Sequence, residues 1–101
     1  MPFQIILSTP ALKELESAMD WYEAREAGLG KRFVDVVDKR LHLLSETPDI
    51  FPIKPSGYNE VSVNNFPYVI IYKILPKAKK VHILHVFHTK RNPANKSTKL
   101  D

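Results

Sequence analysis

Apolar positions along this chain change their spacing twice, and each change marks a new kind of element. Phe3 to Leu7 is a short apolar run rich in β-branched and aromatic residues, which predicts a first strand. Thr9-Pro10 then predicts a helix start: the hydroxyl can accept an orphan backbone N–H, and proline occupies the first turn without losing a bond. Leu12, Leu15, Met19 and Tyr22, supported by Ala11 and Ala18, recur at three- and four-residue steps and form an apolar stripe with Trp21 at its edge. This helix is expected to reach about Ala27. Gly28-Leu29-Gly30 breaks helical propensity twice within three residues and reads as a tight joint to a second, antiparallel helix. Leu29, Phe33, Val36, Val37 and Leu44 share a face of that helix, which closes at Thr47-Pro48 because the residue before proline avoids the helical region.

After a loop from Asp49 to Gly57 the period becomes two. Asn59, Val61 and Val63 alternate with Glu60, Ser62 and Asn64, the pattern of a strand buried on one side. Phe66 to Ile74 is almost continuously apolar and predicts a central strand covered on both faces, with Pro67 tolerable only at its beginning. Pro76 to Lys79 is a turn, and Val81 to Phe87 returns as the partner of a hairpin. The order strand, helix, helix, strand, strand, strand predicts an α+β domain with the helix hairpin on one face of a mainly antiparallel sheet. The other face is expected to stay open unless a partner covers it. One domain spans residues 1–93, and residues 94–101 form a polar, frayed tail.

Arg40 falls in the middle of the second helix's apolar stripe. Its stem is expected to lie along that surface while its head pairs with an acid of the first helix. Charge is unevenly distributed: residues 1–50 hold six Lys/Arg against nine Asp/Glu, net −3, whereas residues 51–101 hold nine against two, net +7. That C-terminal excess favours a polyanion or an acidic protein as partner. The chain has no cysteine, which excludes disulfides, thiolate metal sites and a cysteine nucleophile and suits the cytoplasm. No apolar run approaches the roughly 18 residues of a membrane span, and Met1 to Thr9 lacks the pattern of a signal peptide, so an unprocessed chain is expected.

Phosphate-loop, nucleophile-elbow and zinc-protease motifs do not occur, and no cofactor is implied. His82, His85 and His88 invite a metal reading. In a strand, however, His85 points opposite to the other two, and those stand about 20 Å apart at ~3.3 Å per residue, so no metal site is expected. His88 is different. It ends the last strand and is followed by Thr89-Lys90-Arg91, which places a titratable imidazole beside two cations, a grouping suited to phosphate chemistry.

Trp21-Tyr22 followed by Gly28-Leu29-Gly30 and Phe33, Pro48 closing the second helix, and Phe66-Pro67-Tyr68-Val69-Ile70-Ile71-Tyr72 followed by Val86-Phe87-His88-Thr89-Lys90-Arg91-Asn92-Pro93 together resemble the RelE/ParE toxin superfamily. The resemblance implies the same β-α-α-β-β-β fold and a toxin held inactive by an antitoxin encoded beside it. It also implies one of two activities. RelE-like members cut mRNA on the ribosome, and there His88, Arg91 and Lys90 would be the catalytic residues. ParE-like members block DNA gyrase without known chemistry. Relatives commonly carry arginine in the strand before Phe-Pro-Tyr, where this chain has Asn59-Glu60-Val61-Ser62-Val63 and no cation between Lys54 and Lys73. A ribonuclease that stabilises a pentavalent phosphate through positive side chains would be weakened by that loss. The resemblance therefore leans to the ParE side, with a RelE-like ribonuclease and a harmless relative that only binds antitoxin as the alternatives.

Overall fold

A computed structural model describes residues 2–90 of the chain. Its elements are β1 (Gln4–Leu7), α1 (Thr9–Arg25), α2 (Leu29–Glu46), β2 (Asn59–Ser62), β3 (Tyr68–Leu75) and β4 (Lys80–His88). The strands form one sheet in the order β1-β4-β3-β2, antiparallel except for β1, which runs parallel to β4. This is the predicted α+β architecture, and the polar tail lies outside the described residues.

Ser8, rather than Thr9, caps α1: its hydroxyl accepts the Ala11 N–H at 3.1 Å while its backbone stays extended. Proline is still accommodated, because the N–H of the second helical residue is also an orphan. The same hydroxyl donates to the Leu84 carbonyl at 2.8 Å, and Ser8 N–H donates to Ile83. One serine thus ends β1, starts α1 and ties both to β4.

The helix joint is tighter than two flexible residues require. Gly28 adopts φ +88°, where a side chain is strained, and has no side chain to cap α2. Glu23 of α1 supplies the acceptor instead, taking the N–H groups of Gly28 and Gly30 at 2.9 and 3.0 Å, so that an anion sits at the positive end of α2. A Cβ on Gly30 would lie 2.6 Å from the Met19 carbonyl oxygen. Hydrogen on that α-carbon is what allows the two helices to touch there.

The main core lies between the hairpin and the sheet, where Ala11, Ala18, Tyr22, Phe33, Val37 and Leu44 meet Tyr68, Ile70, Tyr72, Val81, Ile83 and Val86. Tyr22, Phe33, Phe66 and Tyr68 pack ring to ring with centroids 5.0 to 6.1 Å apart. The buried stripe of α1 is rotated from the expected one: Ala11 and Ala18 are enclosed whereas Leu12 is 46% exposed, because small residues permit close approach to β4. Tyr72 is fully enclosed and donates its hydroxyl to the Pro48 carbonyl at 3.1 Å. Burial, with Asp49 adding to it, pushes its pKa up to about 12.

Two expectations are corrected. The sheet face away from the helices is not an open apolar surface: Val69, Ile71 and Phe87 are buried there, with Tyr58 packed against them and the His85 ring stacked 4.7 Å from Phe87. The histidines also alternate differently. Ile71 pairs with His85 but Tyr72 pairs with Ile83, so Leu84 is an extra residue in β4. This bulge resets the phase: Val81, Ile83 and Val86 face the helices, which puts His82 and His85 on the far face and His88 on the helix side.

Candidate functional site

The site follows from a mismatch in strand length. β1 pairs with β4 only as far as Leu7 opposite Ile83, whereas β4 continues to His88. Its last residues consequently have no strand on the β1 side among the described residues, and α1 crosses above them. Between α1 and this edge lies a cavity of about 500 Å³. Lys13, Glu14, Ser17 and Trp21 line it from α1, and Tyr68, Val86 and His88 from the sheet.

An uncovered strand edge presents backbone groups that need partners. Here α1 supplies one. The Glu14 carboxylate accepts the Val86 N–H at 2.8 Å, where a neighbouring strand's carbonyl would otherwise sit, and lies 3.1 Å from Nδ1 of His85. Glu14 therefore joins helix, bulge and strand edge. Its sequence position gave no sign of this. The shortness of Phe3–Leu7 against Val81–Phe87 was the available signal that an edge would need covering.

Trp21 stands at the rim of the cavity. Its ring meets Tyr22 edge-on at 5.1 Å and carries the Arg25 guanidinium at 4.1 Å from its centroid. A partly exposed indole with a cation fixed on its face can make apolar, cation–π and hydrogen-bonded contacts at once, the combination found at binding hot spots.

His88 faces the same cavity, with its ring edge-on to Tyr68 at 5.1 Å. The Lys90 backbone N–H donates to its Nδ1 at 3.0 Å. Nδ1 must then hold a lone pair, and the hydrogen of the neutral ring is placed on Nε2. The turn enforcing this contact is itself held: Thr89 donates through both N–H and hydroxyl to the Pro67 carbonyl, at 2.8 and 3.2 Å. Proton abstraction by Nδ1 would first require release of the Lys90 N–H. Of the three residues read as candidates for catalysis, His88 lines the cavity, Lys90 is exposed in the following turn, and Arg91 lies outside the described residues.

β2 contributes no cation. Asn59 is buried and donates to the Phe51 carbonyl at 2.8 Å, and Glu60 is the charged residue of the strand. The cavity lining holds one lysine, Lys13, and one carboxylate, Glu14. No three His, Asp or Glu side chains come together as a metal site among the described residues. No helix among them is long and apolar enough to cross a membrane.

Comparison with known proteins agrees with this architecture. A solved structure titled as the chromosomal ParDE toxin-antitoxin system from P. aeruginosa superposes with a TM-score of 0.72 over 87% of this chain and 97% of that one, at 15% identity. Among curated proteins, none matches this sequence. Residues 5–93 match the family described as the ParE toxin of the type II toxin-antitoxin system parDE, and the chain accordingly belongs to the ParE toxin family within the RelE/ParE superfamily.

Proposed function

We propose that this chain inhibits DNA gyrase by binding it, performs no chemistry of its own, and is neutralised in the cytoplasm by an antitoxin encoded beside it. The observation that carries the non-catalytic part is the bond from the Lys90 N–H to Nδ1 of His88. A base acting through Nδ1 needs a free lone pair within reach of the proton to be moved, and the folded turn has engaged this one, leaving the ring only its Nε2 hydrogen to offer. The absence of cations from β2 points the same way, since phosphoryl transfer depends on concentrated positive charge. Trp21 with Arg25 at the cavity rim supplies the kind of anchor that a binding toxin uses.

The ribonuclease reading draws on the closeness of His88 and Lys90 at the end of β4. Inducing the chain alone in cells, while scoring plasmid supercoiling and mRNA cleavage together, separates the two. Binding to gyrase predicts loss of negative supercoiling with intact messages. Cleaved messages with normal supercoiling would overturn the proposal, and unimpaired growth with neither change would identify a harmless relative.

A further inference from the structure

Arg40 is half-buried in the middle of the apolar stripe of α2. It does not pair with an acid of α1 as its sequence position predicted. Its Nη2 donates instead to the Asn64 side-chain oxygen at 2.6 Å, in the turn between β2 and β3. Among the described residues no carboxylate lies within ion-pair distance of it. Its Nε is enclosed and has no acceptor at all.

That combination is costly for a fold to keep without a use. A guanidinium has donors and no acceptor, and a buried donor left unmatched loses the free energy of its hydration. Moreover, the contact with Asn64 orients the amide: its oxygen faces Arg40, so its NH₂ group is turned away and adds further donors beside the guanidinium. The turn holding Asn64 is fixed by Val63 N–H to Tyr68 O at 2.9 Å and Phe66 N–H to Val63 O at 3.4 Å, with Asn65 at φ +68°. Donors from two elements, the remaining guanidinium N–H groups and the Asn64 NH₂, are thus held side by side.

We infer that Arg40 and Asn64 form a carboxylate-binding site that receives an acidic side chain of the antitoxin; this rests on the reading of the chain as an antitoxin-held toxin. A protein carboxylate fits better than a nucleic-acid backbone. A phosphate chain needs cations repeated along its path, whereas β2 and the turn after it hold no Lys or Arg and carry Glu60. The neighbourhood is apolar instead: Val36, one helical turn before Arg40, and Phe66, two residues after Asn64, are partly buried hydrophobic side chains at the margin of the core. One charge surrounded by apolar area suits an acid flanked by hydrophobic residues on a partner chain.

Two variants, measured against the purified product of the neighbouring reading frame, test this. Arg40→Met keeps most of the aliphatic stem and removes the donors, so the free chain should still fold while its Kd for the antitoxin rises roughly 10- to 100-fold. Asn64→Asp provides Arg40 with an internal carboxylate, so the free chain should melt at a higher temperature while binding antitoxin more weakly. A merely structural Arg40 would give the opposite pattern, a lower melting temperature with unchanged affinity in Arg40→Met. Unchanged affinity in the folded Asn64→Asp variant would overturn the site even if Arg40→Met proved too unstable to assay. Binding of a polynucleotide that is lost in Arg40→Met while antitoxin affinity stays constant would overturn the carboxylate assignment. If wild type forms no complex with the neighbouring product, the toxin–antitoxin reading fails and the site falls with it, whereas a normal complex with indifferent variants removes the site alone.

Discussion

Gly30→Ala tests the helix joint most sharply, because a single methyl group meets backbone rather than a movable side chain. Built on the present backbone, the added carbon lies 2.6 Å from the Met19 carbonyl oxygen and 2.9 Å from a Glu23 carboxylate oxygen. Glu23 can rotate away but then releases the N–H groups of Gly28 and Gly30, while Met19 O moves only if α1 moves. Overpacking of this kind costs about 1 to 3 kcal/mol, and loss of the capping carboxylate adds to it. Replacing glycine by alanine within a helix returns roughly 0.5 to 1 kcal/mol. The expected net loss is about 2 kcal/mol, a fall of roughly 10 °C in Tm for a domain of this size. Gly28→Ala is the comparator: nothing lies within 4 Å of its Cβ, so only the left-handed backbone opposes it, at about 1 kcal/mol. Thermal and urea unfolding of the three proteins checks the ranking. A Gly30→Ala protein as stable as wild type would show that the helices do not approach as closely as described.

The buried Tyr72 makes stability fall in alkali. Its pKa is 10.0 when unfolded and about 12 when folded, so the unfolded chain loses the proton first and stability declines from pH 10 to pH 12, by up to roughly 3 kcal/mol. Unfolding titrations should show this decline in wild type and not in Tyr72→Phe, which instead loses about 1 kcal/mol at neutral pH through the missing bond to Pro48. Glu14→Ala should expose the Val86 N–H and cost about 1 kcal/mol, with faster amide hydrogen exchange at Val86 than in Glu14→Gln, whose side-chain oxygen can still accept that N–H. Equal exchange rates in the two variants would exclude Glu14 as the cover of the β4 edge.

Element types and order were legible in the sequence because each rests on a local pattern: the helical recurrence through Phe33, Val37 and Leu44, the apolar run through Ile70 and Tyr72, and the double glycine joint. The site was only half legible. His88 stands out by its neighbours Thr89, Lys90 and Arg91, yet the bond that occupies its Nδ1 depends on a turn held by Pro67, a residue far away in sequence. The phase of His82 and His85 was misread because a one-residue bulge at Leu84 leaves no compositional mark. The partners of Arg40 and Glu14 were hidden for a similar reason: Asn64 and Val86 come near them only once the sheet order is set.

The central claim, inhibition by binding without catalysis, is tested most directly by adding purified wild-type chain and its His88→Ala variant to DNA gyrase and following the supercoiling of relaxed plasmid. Folding and antitoxin binding of the variant are checked first. The account predicts that both proteins inhibit gyrase, with the variant's potency within a few-fold of wild type, because the imidazole contributes packing on Tyr68 and no proton transfer. The contrary result is a wild-type chain that leaves gyrase untouched but cuts mRNA on ribosomes, with the cutting reduced roughly 10²- to 10⁴-fold in His88→Ala, the loss characteristic of a missing general acid or base.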